Sequence, residues 1–301
     1  FIFAGYSPDG AIDETDIFYI RALTRLGDVI FIADSDIPKS ELRKIKNVIH
    51  AEAKRHGEYD FGSYKRGYQY AKKAGLLEKY DWVYFANNSV YGPVKPLGPV
   101  LKELESRGAP AVGMIGLGGK GAVNAQSWFF GMDRRIFQSD WFARFIGGVE
   151  KQKDKMDVVH IYEFGMSRIV ALQGFGIEVY EKELYGTSAR AKSATLLKRG
   201  MPFVKKTGIP YMTRRQLFEN VKGDIARMID GHAKRAGIKY ENFFRTNKRK
   251  LKYEKSLEKY GPLSLCTIFH WCLYKPLTIP AIPLLFAWDF LRSIFKGAIK
   301  F

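Results

Sequence analysis

The sequence predicts an α/β fold, a mostly parallel sheet flanked by helices, followed by a basic and mainly helical C-terminal extension. Two observations carry this expectation. Short apolar runs alternate with amphipathic segments of helical length over the first half. The charge balance then changes late in the chain: residues 1–186 hold 25 Lys and Arg against 24 Asp and Glu, whereas residues 187–301 hold 24 against 7.

Residues 1–4 form an apolar run ending at Gly5, a first strand. Asp13, Glu14 and Asp16 make an acidic first turn, and Ile17, Ile20, Leu23 and Leu26 continue at helical spacing until Gly27. Residues 28–33 (DVIFIA) read as a buried strand, 39–50 as a helix, 63–74 as another helix and 82–86 as the next strand. Residues 97–106 are helical in pattern, 111–115 strand, 126–132 strand, 134–145 helix, 162–172 helix and 176–181 a short strand. From Thr187 onward charge dominates and helices are expected. The domain expectation is therefore 1–195 for the α/β part and 196–301 for the basic region.

Composition narrows the classes. At 46% hydrophobic and 15% aromatic residues the chain excludes a disordered polymer, a collagen or a disulfide scaffold. Its two cysteines, Cys266 and Cys272, lie in an apolar segment away from His or Asp clusters, which suits a reducing compartment and argues against zinc. The opening FIFAGYS carries no secretory-type leader pattern, so a cytoplasmic location is expected.

The basic block attracts polyanions, whether nucleic acid, anionic headgroups or a lipid-linked pyrophosphate. The stretch from 263 to 288 is mostly apolar and aromatic, interrupted by Lys275, Pro276, Pro280 and Pro283. A membrane-crossing helix needs ~20 uninterrupted apolar residues, and neither half of this segment supplies them. An interfacial anchor on an anionic membrane surface is the favoured expectation, with no nucleic acid; ordinary core packing is the plainer one.

In a parallel sheet, ligands bind at the carboxyl ends of strands, which directs attention to residues 5–7, 34–36, 87–92 and 116–124. GLGGKG, with Gly116, Gly118 and Gly121, matches a dinucleotide fingerprint formally. A strand-like AVNAQSWFFG comes after it instead of a helix, so a loop beside a site is the better reading. Asp34 and Asp36 have carboxylates suited to a ribose or base, or they simply form a turn before Pro38. In YDFGSYKRGY, Asp60 suits a sugar hydroxyl and Lys65 a phosphate, or Asp60 starts a helix.

EYDFGSYKRGYQYAKK, YDWVYFANNSVYGPV, AQSWFFGMDRRIF and YEFGMSRIVALQGF, in this order, resemble the rhamnan synthesis protein F family of bacterial polysaccharide glycosyltransferases. The similarity spans roughly residues 1–210, with YDFGSYK and NNSVYGP its most specific parts. It implies a GT-A-like fold, a nucleotide-sugar donor and a role in O-antigen, capsule or wall polysaccharide synthesis. Together with the basic, apolar C-terminal region, the expectation is a UDP or dTDP donor and a lipid-linked saccharide or polysaccharide acceptor at the inner face of the plasma membrane. Metal-dependent enzymes of that fold hold a divalent cation through Asp-x-Asp, because hard cations prefer carboxylate oxygens. The family tends to show Asn-Asp-Ser there, and this chain has Asn87, Asn88 and Ser89. Metal-independent leaving-group stabilisation by Lys or Arg is therefore expected, with Mg²⁺ or Mn²⁺ doubtful.

The resemblance further implies Glu163, in HIYEFGMS at a helix start, as the base of an inverting transfer, unless it serves as a helix cap. Asp133 is the reserve. Lys205 and Lys206 in MPFVKKTG would meet the diphosphate, or form a surface pair. Tyr6 would stack on the base, and Gln126 and Trp128 would line the acceptor side, with core burial of Trp128 the alternative. Asn124 stands where the family often has His. A noncatalytic basic scaffold that binds membrane or nucleic acid is the competing class.

Overall fold

The structure, a computed structural model, describes residues 1–119, 122–183 and 192–241. The first compact unit runs from Phe1 to Tyr240 and the second from Glu241 to Phe301. Within the first unit, the two later helices α10 (Arg214–Asn220) and α11 (Gly223–Arg235) pack with Tyr91, Val94 and Val204 in one apolar cluster. The apolar segment 263–288 lies outside the described residues.

The chain begins with β1 (Ile2–Gly5), then α1 (Glu14–Leu23). The Asp13 carboxylate accepts the Thr15 N–H at 2.8 Å, and Glu14 and Asp16 complement the positive helix end. β2 (Ile30–Ala33) is next. The helix expected over 39–50 is only the short α2 (Lys39–Leu42), and His50–Ala53 is instead the edge strand β3. Asn47 takes a left-handed φ of 61°, which ends the helical path, and β3 pairs in parallel with β2. Pairing with an open sheet edge outweighs the local helical period. α3 (Tyr59–Lys73) starts four residues earlier than 63.

β4 (Trp82–Asn87), the short β5 (Val90–Tyr91) and α4 (Leu97–Ser106) come next. β6 (Ala111–Gly119) and β7 (Ala122–Ala125) are antiparallel, Gly116 opposite Ala125, so most of the loop expected at 116–124 is paired strand, Gly116 and Gly118 included; Gly121 lies outside the described residues. β8 (Phe129–Asp133) leads to α5 (Arg134–Phe137) and α6 (Asp140–Gly147). One helix was expected there; Ser139 divides it, its hydroxyl accepting the Phe142 N–H. α7 (Lys155–Val158) runs through a π turn at Val159–Glu163 into α8 (Phe164–Leu172). Glu163 is thus the residue immediately before α8, as expected, and it is reached through the π turn from α7. β9 (Ile177–Glu183), α9 (Ser193–Lys198) and β10 (Val204–Lys205) precede α10 and α11. Thr213 and Gln216 cap α10 reciprocally, and Asp230 of α11 receives both Arg214 Nε and Nη2 at 2.9 Å. That pairing, with Lys234 adding to it, lowers the Asp230 pKa to about 2 against its burial.

The strand order is β3-β2-β1-β4-β8-β6-β7, with β9 beside β6. β1 is parallel to β2 and β4, β2 to β3, and β6 to β9, whereas β8 runs antiparallel to both β4 and β6. The sheet is mostly parallel, mixed and covered on both faces. Phe3, Phe31 and Tyr84 face α1 and α4, while Ile2, Ile32 and Phe85 face α3 and α6. The alternation obeys the period of two.

α3 lies directly on β1: a Cβ on Gly67 would come within 2.4 Å of Ile2 Cγ2. Gly67→Ala should therefore cost about 1–3 kcal/mol through overpacking. Urea denaturation of the full chain checks this, and an unchanged midpoint would show that the helix can lift from the strand.

Candidate active site

A cleft of about 1590 Å³ opens at the carboxyl ends of β1, β2 and β4. Its walls come from Gly5–Asp9, Asp16, Asp34, Arg55–Gly57, Tyr59, Asp60, Asn87–Ser89, Lys151–Lys153, Lys155 at the start of α7, and Lys206, His232 and Arg235. Parallel neighbours bring these turns to one edge, as the topology requires. Arg55, Lys151, Lys153 and Lys155 line it without forming an ion pair among the described residues.

Asp34 is buried. Its Oδ1 accepts the backbone N–H of His56 at 2.8 Å and of Gly57 at 2.7 Å, and its Oδ2 accepts that of Tyr59 at 3.1 Å. Burial holds the nearby His56 imidazole below its usual pKa, although the charge of Asp34 opposes this. Ser35 Oγ accepts the Ser7 N–H at 2.9 Å, and the exposed Asp36 accepts that of Arg55 at 3.1 Å. This acidic triplet ties turns together; Asp36 does not line the cleft.

Asn87 and Asn88 are equally engaged. Asn87 Nδ2 donates to Asp60 Oδ2 at 2.9 Å, and its Oδ1 accepts both Ser89 N and Oγ. Asn88 exchanges hydrogen bonds with the backbone of Tyr6 and donates to Asp16 Oδ2 at 2.8 Å. Asp16 also holds Lys206 Nζ, 3.2 Å from its Oδ1, and this ammonium lies 5.4 Å from the Tyr91 ring centroid. Amide oxygens saturated by protein donors are poor cation ligands, and no cluster of three or more metal-binding side chains occurs among the described residues.

Asp60, in the first turn of α3, reaches the cleft, and its pKa is raised by burial and then by the charge of Glu163, with Lys155 acting against both. Glu163 Oε2 accepts Ser127 N at 2.9 Å and Ser127 Oγ at 2.5 Å. No hydrogen bond engages its Oε1 among the described residues. It stands at the N-cap position of α8 without a side-chain cap hydrogen bond, and it does not itself line the cleft.

Several other expected site residues do not join the cleft. Asp133 pairs with Trp82, the residue at the opposite end of β4 from Asn87, and caps α5 while binding Arg135. That sheet edge is about 17 Å away, the length of β4 at the rise of an extended strand. Lys65 Nζ donates to Val149 O at 2.6 Å, fastening α3 to the segment after α6. Trp128 is 2% exposed and its indole N–H donates to Gln126 Oε1 at 2.7 Å, so both support the core. Lys205 lies over Trp128, 5.6 Å from that ring's centroid, while Lys206 alone of the pair lines the cleft. The sequence reading missed Asp16, Arg55, Tyr59 and the Lys151–Lys155 stretch. Only the charge run KQKDK carried a signal.

The fold and cleft define an α/β protein with an open, mixed-charge cleft at the carboxyl ends of its parallel strands. The rhamnan synthesis protein F family matches residues 29–250, and the chain belongs to that family. Membership implies a glycosyltransferase role in rhamnan synthesis, hence a nucleotide-sugar donor and a saccharide acceptor. No curated protein matches the chain.

A folded pKa above the unfolded value means that ionising Asp60 costs stability, a cost absent at acid pH and incurred as pH rises through the folded value. Asp60→Asn should keep the acceptor oxygen for Asn87 and be more stable than the parent at pH 7, the gain shrinking toward pH 4. Urea midpoints at both pH values check this, and equal midpoints at pH 7 would contradict it.

Proposed function

We propose that the chain is an inverting glycosyltransferase. It moves a rhamnose- or galactofuranose-type sugar from a UDP or dTDP donor to a lipid-linked or polysaccharide acceptor in O-antigen, capsule or wall polysaccharide synthesis. The observation that carries this reading is the set of unpaired cations, Arg55, Lys151, Lys153 and Lys155, on a cleft at the carboxyl ends of parallel strands. A diphosphate is an apt counter-charge for such a wall.

In this reading Glu163 is the base. Ser127 fixes one carboxylate oxygen and leaves the other to take the proton of the acceptor hydroxyl. The acceptor oxygen bonds to the anomeric carbon from the face opposite the diphosphate, and the anomeric C–O bond breaks with its electron pair leaving on phosphate. Lys206, already balanced by Asp16, and the unpaired cations stabilise that charge without a divalent cation. Asp133 has no part in this step.

The enzyme acts as a peripheral protein at the cytoplasmic face of the membrane, through the basic region and its apolar end. No helix among the described residues is long and apolar enough to cross a membrane.

Two measurements test these proposals. Glu163→Gln should lower transfer from a labelled sugar nucleotide by about 10²–10⁴-fold with donor affinity unchanged, and EDTA should leave most wild-type activity. Activity within a few-fold of wild type in the variant removes Glu163 from the mechanism; complete loss in EDTA with rescue by Mn²⁺ removes the metal-free step. The full chain should also bind anionic vesicles with an affinity that falls as salt rises, each Lys or Arg contributing ~1 kcal/mol at the surface. Indifference to such vesicles at low salt would refute the membrane proposal.

A further inference from the structure

Two exposed aromatic rings stand in the cleft. Tyr6 is 50% exposed and Tyr59 39% exposed, and neither has a ring-ring contact or a hydroxyl hydrogen bond among the described residues. Most large aromatic rings among the described residues are buried in the core clusters or packed against them. Tyr59 is also held in a left-handed backbone conformation, φ 57°, which a residue with a bulky side chain adopts only under constraint. The constraint is Asp34, whose buried carboxylate binds the N–H groups of His56, Gly57 and Tyr59 together.

The same short turn carries positive charge. Arg55 lies over Tyr6, its guanidinium carbon 5.9 Å from the ring centroid, and the Lys151 side chain lies against Gly57, whose added Cβ would sit 3.5 Å from Lys151 Cε. A free aromatic face beside two unpaired cations matches a planar base joined to phosphate groups. We infer that Tyr59 is the stacking surface for the nucleobase of the donor, aimed by Asp34, with Arg55 and Lys151 meeting the phosphates. This deepens the transferase reading and rests on it. It also assigns Asp34 a role in positioning the ring instead of in contacting the ribose.

The test uses the full chain and calorimetric titration with UDP, dTDP and inorganic pyrophosphate. Tyr59→Gly removes the ring and accepts the left-handed backbone, so the thermal midpoint should not fall by more than a few degrees. The dissociation constants of the nucleotide the parent binds should rise about tenfold or more, as loss of base stacking implies. Pyrophosphate affinity should change by less than about twofold, and Tyr59→Phe should bind nucleotide like the parent. Tyr59→Asn, which also tolerates this backbone, serves if the glycine variant does not fold. Unchanged nucleotide affinity in the variant, or an equal loss for pyrophosphate, overturns the assignment of Tyr59 while leaving the donor cleft standing. Failure of the unaltered chain to bind either nucleotide overturns the donor cleft and this inference with it.

Discussion

Asp34 ends β2 at a point where three backbone N–H groups of the turn before α3 converge on one buried carboxylate. An ionised carboxylate away from water is tolerable only when its lone pairs are occupied, and here the chain itself occupies them. The turn is thereby closed, α3 begins at Tyr59, and Asp60 reaches Asn87 across the cleft. From that start the helix descends onto β1 with Gly67 as the point of close approach. Removal of the carboxylate would leave three partly buried donors and a strained tyrosine without support, the strain alone a cost of order 1–3 kcal/mol.

The strands and the sides they bury were legible because apolar runs such as DVIFIA and WVYFA are short, rich in branched and aromatic residues and bounded by glycine or charge. The edge strand β3 was not, since HAEA has no apolar run and owes its extended form to the open flank of β2. The hairpin of β6 and β7 was hidden by glycines that read as a loop, although its partner is set by long-range pairing. In the site, the strand-end rule located the cleft and most of its first turns. Residues whose role depends on three-dimensional neighbours escaped: Asp16 because it reads as an ordinary acidic helix start, Tyr59 because nothing local announces a left-handed tyrosine.

Lys65, Asp133 and Trp128 illustrate the converse. Their residue types suit the chemistry of a sugar transferase, and their places in the motifs are right, yet each is committed to the fold: a lysine to a carbonyl, an aspartate to a helix cap, an indole to the core. Motif membership identifies the family, and packing decides which of its polar residues remain free to act. Asn88 and Lys206 show a related economy, both being organised by a single carboxylate from α1.

The π turn at Val159–Glu163 places two anchors side by side. Tyr162 within it takes hydrogen bonds from Glu150 N and Gln152 Nε2, both at 2.8 Å, and so tethers the connector that carries the cleft lysines. The adjoining Glu163 meets Ser127 at the sheet. Successive helical residues point about 100° apart, so neighbours in sequence face different partners. A single helical path therefore serves two masters, a lysine-bearing strap on one side and the serine that precedes β8 on the other. It also makes the spacing between Asp154 and Phe164 intolerant of insertion or deletion, even where the individual side chains are exposed.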